Sequence, residues 1–206
     1  MMQSPRKQGE GCWHIAIKMK KEKKIKKGKI SKSIELPDGV KASVDGILLT
    51  VKGAKGEAKR EIRQRNVSIS ADNAKILIES KSETKKDNKI IGSLTAHIKN
   101  MIRGCGQGHI YILKVCSGHF PINVSVANKR LIVKNFLGEK VPRELELKND
   151  ASVKVEGELI YITSTNKETA GQVSADIEQL TRRPGYDTRV FQDGIYIINK
   201  DGKELK

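Results

Sequence analysis

From residue 33 onward, apolar and polar positions alternate in short runs broken by turn residues. Val40, Ala42 and Val44 alternate with polar neighbours, and Asp45-Gly46 then leads into an apolar run over 47–52. A period of two places one set of side chains on one face of a strand, and Asp-Gly between two such runs is hairpin chemistry. Ala54-Lys55-Gly56 turns the chain again into 57–63, and the runs 67–70 and 75–80 predict a second hairpin across Asp72-Asn73. The period then changes. Ile90, Ile91, Leu94, Ile98, Met101 and Ile102 share one helical face, with Gly104 as the stop signal.

The same order comes round again. Strands are predicted over 110–115, 122–126, 131–134, 140–147, 153–155 and 158–163. Thr165-Asn-Lys-Glu168 reads as a capping box opening a helix with Ala170, Val173, Ile177 and Leu180 on one face, closed by Pro184-Gly185. A last strand over 194–199 follows the Asp193-Gly194 turn.

Residues repeat as well as elements. A shift of 82 aligns 40–57 with 122–139 without a gap, and seven of the 18 pairs are identical, among them Leu49/Leu131 and Val51/Val133. It also pairs Leu77-Ile78 with Leu159-Ile160 and Ile98 with Leu180. An internal duplication explains this, and the expected fold is α+β: two tandem homologous domains, each a small antiparallel sheet covered by one helix. The boundaries read as an extension over 1–32, a first domain over 33–112 and a second over 113–206.

Charge changes the picture at the N-terminus. The chain carries 40 Lys and Arg against 24 Asp and Glu, a surplus that favours a polyanionic partner. Residues 1–32 hold 11 basic and 2 acidic side chains, whereas 115–206 hold 14 and 13. Eight lysines among the twelve residues 18–29 repel one another and cannot bury a face, so a disordered basic arm is expected. The arm reads as a tail that orders on nucleic acid, and about as readily as either a solubilising leader or a nuclear-import signal, these two taken together. Aromatics make up only 4% of the chain, which argues against rows of base-stacking rings and for contact through phosphates and shape.

Chemistry-bearing motifs are sparse. Cys12, Cys105 and Cys116 have no Cys-x-x-Cys spacing, which points to buried thiols in a reducing compartment rather than disulfides or zinc. The glycines of Gly104-Cys-Gly-Gln-Gly108 follow a helix instead of opening one, so they make a turn rather than a phosphate cradle. His14, His97, His109 and His119 lack ligand spacing, with His97 reading as a packing residue, and Glu144 and Glu146 read as partners for lysines. No apolar run reaches the roughly 20 residues that span a bilayer. No catalysis, cofactor, metal or membrane contact is expected. Lys52-Gly-Ala-Lys55-Gly is a basic turn whose amides and ammonium groups could meet phosphates together, and Arg182, Arg183, Tyr186, Arg189 and Lys200 read as one basic cluster around the end of the second helix and the last strand.

Four segments carry a resemblance: His97-Ile-Lys-Asn-Met-Ile-Arg-Gly104, His119-Phe-Pro-Ile-Asn123, Asn135-Phe-Leu-Gly-Glu-Lys140, and Arg189-Val-Phe-Gln-Asp-Gly-Ile-Tyr196 followed by Lys200. Over 34–200 the chain resembles the universal large-subunit ribosomal protein family numbered six in bacteria and nine in eukaryotes, in its eukaryotic and archaeal branch. Tyr186 stands where that family usually carries a basic residue. The resemblance implies a non-enzymatic constituent of the large ribosomal subunit, bound to ribosomal RNA near the sarcin-ricin loop. Neighbouring ribosomal proteins and translational GTPases would lie close by, and no homo-oligomer is expected. It also implies a cytoplasmic location, with nucleolar assembly in a eukaryote. Lys52, Lys55, Arg182, Arg183, Tyr186, Arg189 and Lys200 are the residues expected to face RNA, with Phe191 as a core anchor. The alternative expectation is a basic scaffold protein that binds acidic partners off the ribosome.

Overall fold

A computed structural model describes residues 30–205, apart from 65, 73, 149 and 188. The Lys-rich run over 18–29 therefore lies outside the described residues. The first domain consists of β1 (Ser31–Glu35), β2 (Lys41–Asp45), β3 (Leu48–Gly53), β4 (Gly56–Glu61), β5 (Val67–Ala71), β6 (Lys75–Ser80) and α1 (Lys85–Gly106). The second has β7 (His109–Cys116), β8 (Asn123–Ala127), β9 (Arg130–Lys134), a 3-10 turn at Phe136–Gly138, β10 (Arg143–Glu146), β11 (Ala151–Glu156), β12 (Leu159–Ser164), α2 (Lys167–Leu180), β13 (Gly194–Lys200) and β14 (Lys203–Glu204).

The fold is α+β with two tandem copies of one plan. In each copy the antiparallel strands divide between two sheets, and one helix packs against the core they share. The first copy orders its strands β2-β3-β4 and β1-β6-β5; the second orders them β10-β9-β8 and β11-β12-β7-β13-β14. β7 pairs along its length with β12 and β13, in the place that β1 takes beside β6. The hairpin registers repeat at the 82-residue shift, with Ala42 opposite Val51 and Val124 opposite Val133. For β6 and β12 the structural shift is 84, because Val67 faces Ser80 where Ala151 faces Ser164. A change of two keeps every side chain on its face, so Ile76 and Ile78 correspond to the equally buried Ile160 and Ile162.

Each copy has its own apolar core. Leu49, Val51, Ile76, Ile78, Ile91 and Ile98 fill the first, and Leu113, Leu131, Val133, Ile160, Ile162 and Ile177 fill the second. The helices do not keep the 82-residue shift: the buried Ile91, Leu94 and Ile98 of α1 match Ala170, Val173 and Ile177 of α2 in spacing, so Ile177, and not the partly buried Leu180, holds the place of Ile98.

Helix starts differ from the sequence reading. α1 begins at Lys85, a turn before its apolar stripe. Thr84 caps it by accepting from the Asp87 N–H at 3.2 Å, and the Asp87 carboxylate accepts from the Ser82 and Thr84 hydroxyls. The hydroxyls of Ser82 and Thr84 hold that carboxyl below its ordinary range. α2 is capped by Asn166 rather than Thr165, its side chain accepting from the Glu168 N–H at 3.0 Å. The helix stops at Leu180, before Pro184-Gly185.

The copies meet at one junction. Arg60 lies 2.6 Å from the Glu168 carboxylate, which also sits 3.3 Å from His97 Nδ1. Asp201, in the turn after β13, faces Arg103 at 3.2 Å and Lys167 at 3.8 Å. Fully buried His109 places Nε2 3.0 Å from the Asn100 carbonyl and Nδ1 3.1 Å from Asp201, the latter an electrostatic contact without hydrogen-bond alignment. His97 is therefore a junction residue rather than a packing residue.

Candidate nucleic-acid interface

The structure separates the seven expected RNA-facing residues into two groups. Asn166, Lys167 and Glu168 at the start of α2 belong to the junction, whereas Thr181, Arg182 and Arg183 follow its other end. Fourteen helical residues at 1.5 Å each set these ends about 20 Å apart. Strand β13 runs between the same ends, from Gly194 opposite Cys116 to Lys200 opposite Tyr111.

Lys52, Lys55 and Lys200 lie on the junction side. Lys52 is exposed and 3.6 Å from Glu57. Lys55 sits in the turn between β3 and β4, and its N–H donates to the Cys105 carbonyl at 2.9 Å. That amide is committed to the fold, so the expectation that it meets a phosphate beside the ammonium group does not hold. The turn is pressed onto the end of α1: a Cβ on Gly53 would lie 2.5 Å from the Cys105 carbonyl oxygen. Lys200 is exposed and adjoins Asp201, so it does not belong with the arginines where the sequence reading put it.

Arg182, Arg183, Tyr186 and Arg189 do come together, at the far end of α2. Arg182 is exposed on the first turn after the helix, its N–H donating to the Gln179 carbonyl. Arg183 lies over the Tyr186 ring at 4.6 Å and 3.7 Å from Glu139. Arg189 is 91% exposed beside Asp187, at 3.4 Å, so its charge reaches well into solvent.

Of the aromatic residues at this end only Tyr186 was expected to face RNA; Phe120, Phe136 and Tyr196 were missed. Tyr186 meets Phe191 edge-on at 5.1 Å, and Phe191 packs against the His119 ring at 5.2 Å. Phe191 is 36% exposed, so it is a surface ring and not a core anchor; Phe120, Tyr186 and Tyr196 are at least as exposed. Low aromatic content hid the cluster, because these rings come from three separate stretches of chain. Arg182, Arg183, Tyr186, Phe191, Tyr196 and Phe136 line a cavity of about 550 Å³, together with Glu178 and Asp193.

Two ionic anchors hold this end, one on the buried Asp193 and one on the half-buried Arg143. Burial pushes the Asp193 carboxyl up, but donation from the Gly118 and His119 N–H groups and the His119 ring outweighs it and leaves the carboxyl below its ordinary range. This bond joins the two expected motifs, because His119 opens one and Asp193 lies within the other. Arg143 grips Glu139 with two hydrogen bonds of 2.8 and 2.7 Å, donates to the Leu180 carbonyl at 2.6 Å and covers the Phe136 ring at 4.4 Å. The Arg143 hydrogen bonds hold Glu139 below its ordinary range. The geometry is that of a rigid basic and aromatic platform.

Nothing comparable suggests acid-base or metal chemistry. Among the described residues no group of His, Cys, Asp and Glu is placed to hold a metal ion, and no helix is long and apolar enough to cross a membrane. Cys105 is buried, donates to the Val51 carbonyl and has its thiol pushed up by burial, which makes it unreactive. Glu144 and Glu146 pair with Arg130 across the sheet rather than with lysines.

Comparison with known proteins agrees with the two-copy plan. The family described as ribosomal protein L6 matches residues 36–108 and again 120–194. The large ribosomal subunit protein uL6 of Methanothrix thermoacetophila is 42% identical over 171 residues, 83% of this chain and 97% of that protein. Proteins of the same name from Methanococcus vannielii and Methanocella arvoryzae are each 41% identical, over 85% and 82% of this chain and 97% and 96% of their own lengths.

Proposed function

The chain belongs to the ribosomal protein L6 family, whose members are structural and not enzymatic, and from that premise we propose that its second domain holds large-subunit ribosomal RNA at the Arg182–Arg189 end. It is a structural constituent of the ribosome, in the large subunit as the names of its relatives have it. The observation that carries the RNA reading is the gathering of Arg182, Arg183 and Arg189 around exposed rings in a domain whose acidic and basic residues otherwise nearly balance. A guanidinium forks onto two phosphate oxygens and also stacks on rings. Lys52, Lys55 and Lys200 would give a second, weaker contact at the junction end, as point charges.

The family resemblance adds a location: beside the sarcin-ricin loop, near neighbouring ribosomal proteins and the docking region of translational GTPases, in the cytoplasm after nucleolar assembly if the source is eukaryotic. The Lys-rich stretch over 18–29 would supply a further phosphate-binding arm ahead of the two domains.

Sedimentation tests the reading. Tagged chain should travel with large subunits, one copy each, through a high-salt gradient, and Arg182→Ala/Arg183→Ala should lower its retention. Chain left at the top of the gradient would overturn the proposal in favour of a scaffold that binds acidic partners.

A further inference from the structure

The Arg182–Arg189 end contains more than charge. Phosphate contact alone needs cations on a convex or flat surface, yet here Arg182 and Arg183 line a cavity together with Phe136, Tyr186, Phe191 and Tyr196, with Glu178 and Asp193 also in its lining. All three phenylalanines of the chain and two of its four tyrosines are at this end, and four of those five rings are exposed. Exposed rings gathered into one patch mark a contact site. Tyr186 and Phe191 are held in place before any ligand arrives, by Arg183 on one side and His119 on the other. His119 in turn is fixed by buried Asp193.

We infer that this cavity takes one unstacked nucleotide of the bound RNA, its base against Tyr186 and Phe191 and its phosphate on Arg182 or Arg183. This rests on the RNA-binding reading above and names what the site grips. A volume of about 550 Å³ accommodates a ligand of that size, since pockets for small organic ligands run from about 300 to 1,000 Å³. Proteins recognise single-stranded or bulged RNA by stacking splayed bases on aromatic side chains or guanidinium planes, and a paired helix offers no such base. An apolar peptide segment from a neighbouring protein would fit the rings but would make no use of the exposed Arg182 guanidinium beside them. That guanidinium therefore favours a nucleotide. Stacking tolerates any base, so the cavity selects an unpaired position rather than a sequence.

The test uses the full chain and two synthetic RNAs, a perfect hairpin and the same hairpin with one unpaired 2-aminopurine. The bulged RNA should bind about five- to a hundredfold more tightly, the usual range for one stacked base, with quenching of its fluorescence. Tyr186→Leu and Phe191→Leu keep the apolar volume but remove the ring, and should abolish the quench and bring the affinity for the bulged RNA down to that of the same variant for the hairpin. Tyr186 is exposed and can be replaced without unfolding the domain; circular dichroism checks both variants. Equal binding of the two RNAs, or a preference that survives Tyr186→Leu in a folded chain, would overturn the inference while leaving RNA binding intact. Failure to bind either RNA would instead count against the RNA reading itself. Bulged RNA bound without quench, with the cavity closed off by an apolar peptide that leaves RNA affinity unchanged, would assign the rings to a protein segment.

Discussion

A Cβ on Gly104 would sit 2.0 Å from the carbonyl oxygen of Thr165, so the last turn of α1 touches the backbone just ahead of α2 with no room for a side chain. Thr165 also lies 3.1 Å from where a Cβ of Gly56 would be. The two domains thus meet through main chain, with the Arg60–Glu168 and Arg103–Asp201 pairs around the contact.

Gly104→Ala must push the domains apart or bend α1. Overpacking of this kind costs roughly 1–3 kcal/mol. Gly92, also in α1 but with open space at its Cβ, is the control: Ala there should stabilise by about 0.5–1 kcal/mol. Thermal unfolding of both variants should move in opposite directions, and a shared direction would mean the junction gives way easily.

Leu49 and Leu131 occupy the same place in the two copies and are both fully buried. Truncating either to Ala should cost about 2–5 kcal/mol, with the two losses similar because the surrounding β2-β3 and β8-β9 hairpins share a register. Denaturant titrations would show a mismatch if the cores are packed differently.

Asp193 makes the aromatic end acid-sensitive. Its folded carboxyl titrates below the ordinary value of about 3.9, so the folded state takes up its proton less readily than the unfolded chain. The resulting stabilisation is present above that ordinary value and fades as pH falls through the folded one. Asp193→Asn should be less stable at neutral pH and lose less on acidification from pH 5 to 2; parallel curves for the two proteins would show that the carboxylate contributes nothing.

Arg189→Ala should leave folding within about 0.5 kcal/mol of the parent, because the side chain is 91% exposed. Its affinity for a large-subunit RNA fragment should fall, and the slope of log affinity against log salt should drop by about one unit. An unchanged slope would restrict Arg189 to its pairing with Asp187.

The periodicity showed the elements because each domain buries one face of most of its strands, which writes the pattern into Leu49, Val51, Leu131 and Val133. The short β1 and β14 were invisible, since their residues are mostly exposed and lack alternation. The split of each copy into two sheets was equally hidden, because pairing partners are set by three-dimensional contacts that alternation does not encode. The arginine site was half legible. Arg182 and Arg183 sit in sequence beside Tyr186, but the link from Asp193 to His119 spans 74 residues and could be found only in space.

The separation of the two ends by α2 has a consequence for assembly. A stiff spacer of about 20 Å makes binding at one end an intramolecular event for the other, but only for RNA whose two sites match that span. Matching RNA gains avidity from both contacts; RNA with any other spacing is held by one. The protein would therefore act as a gauge, staying bound only after the two RNA segments have reached their final distance.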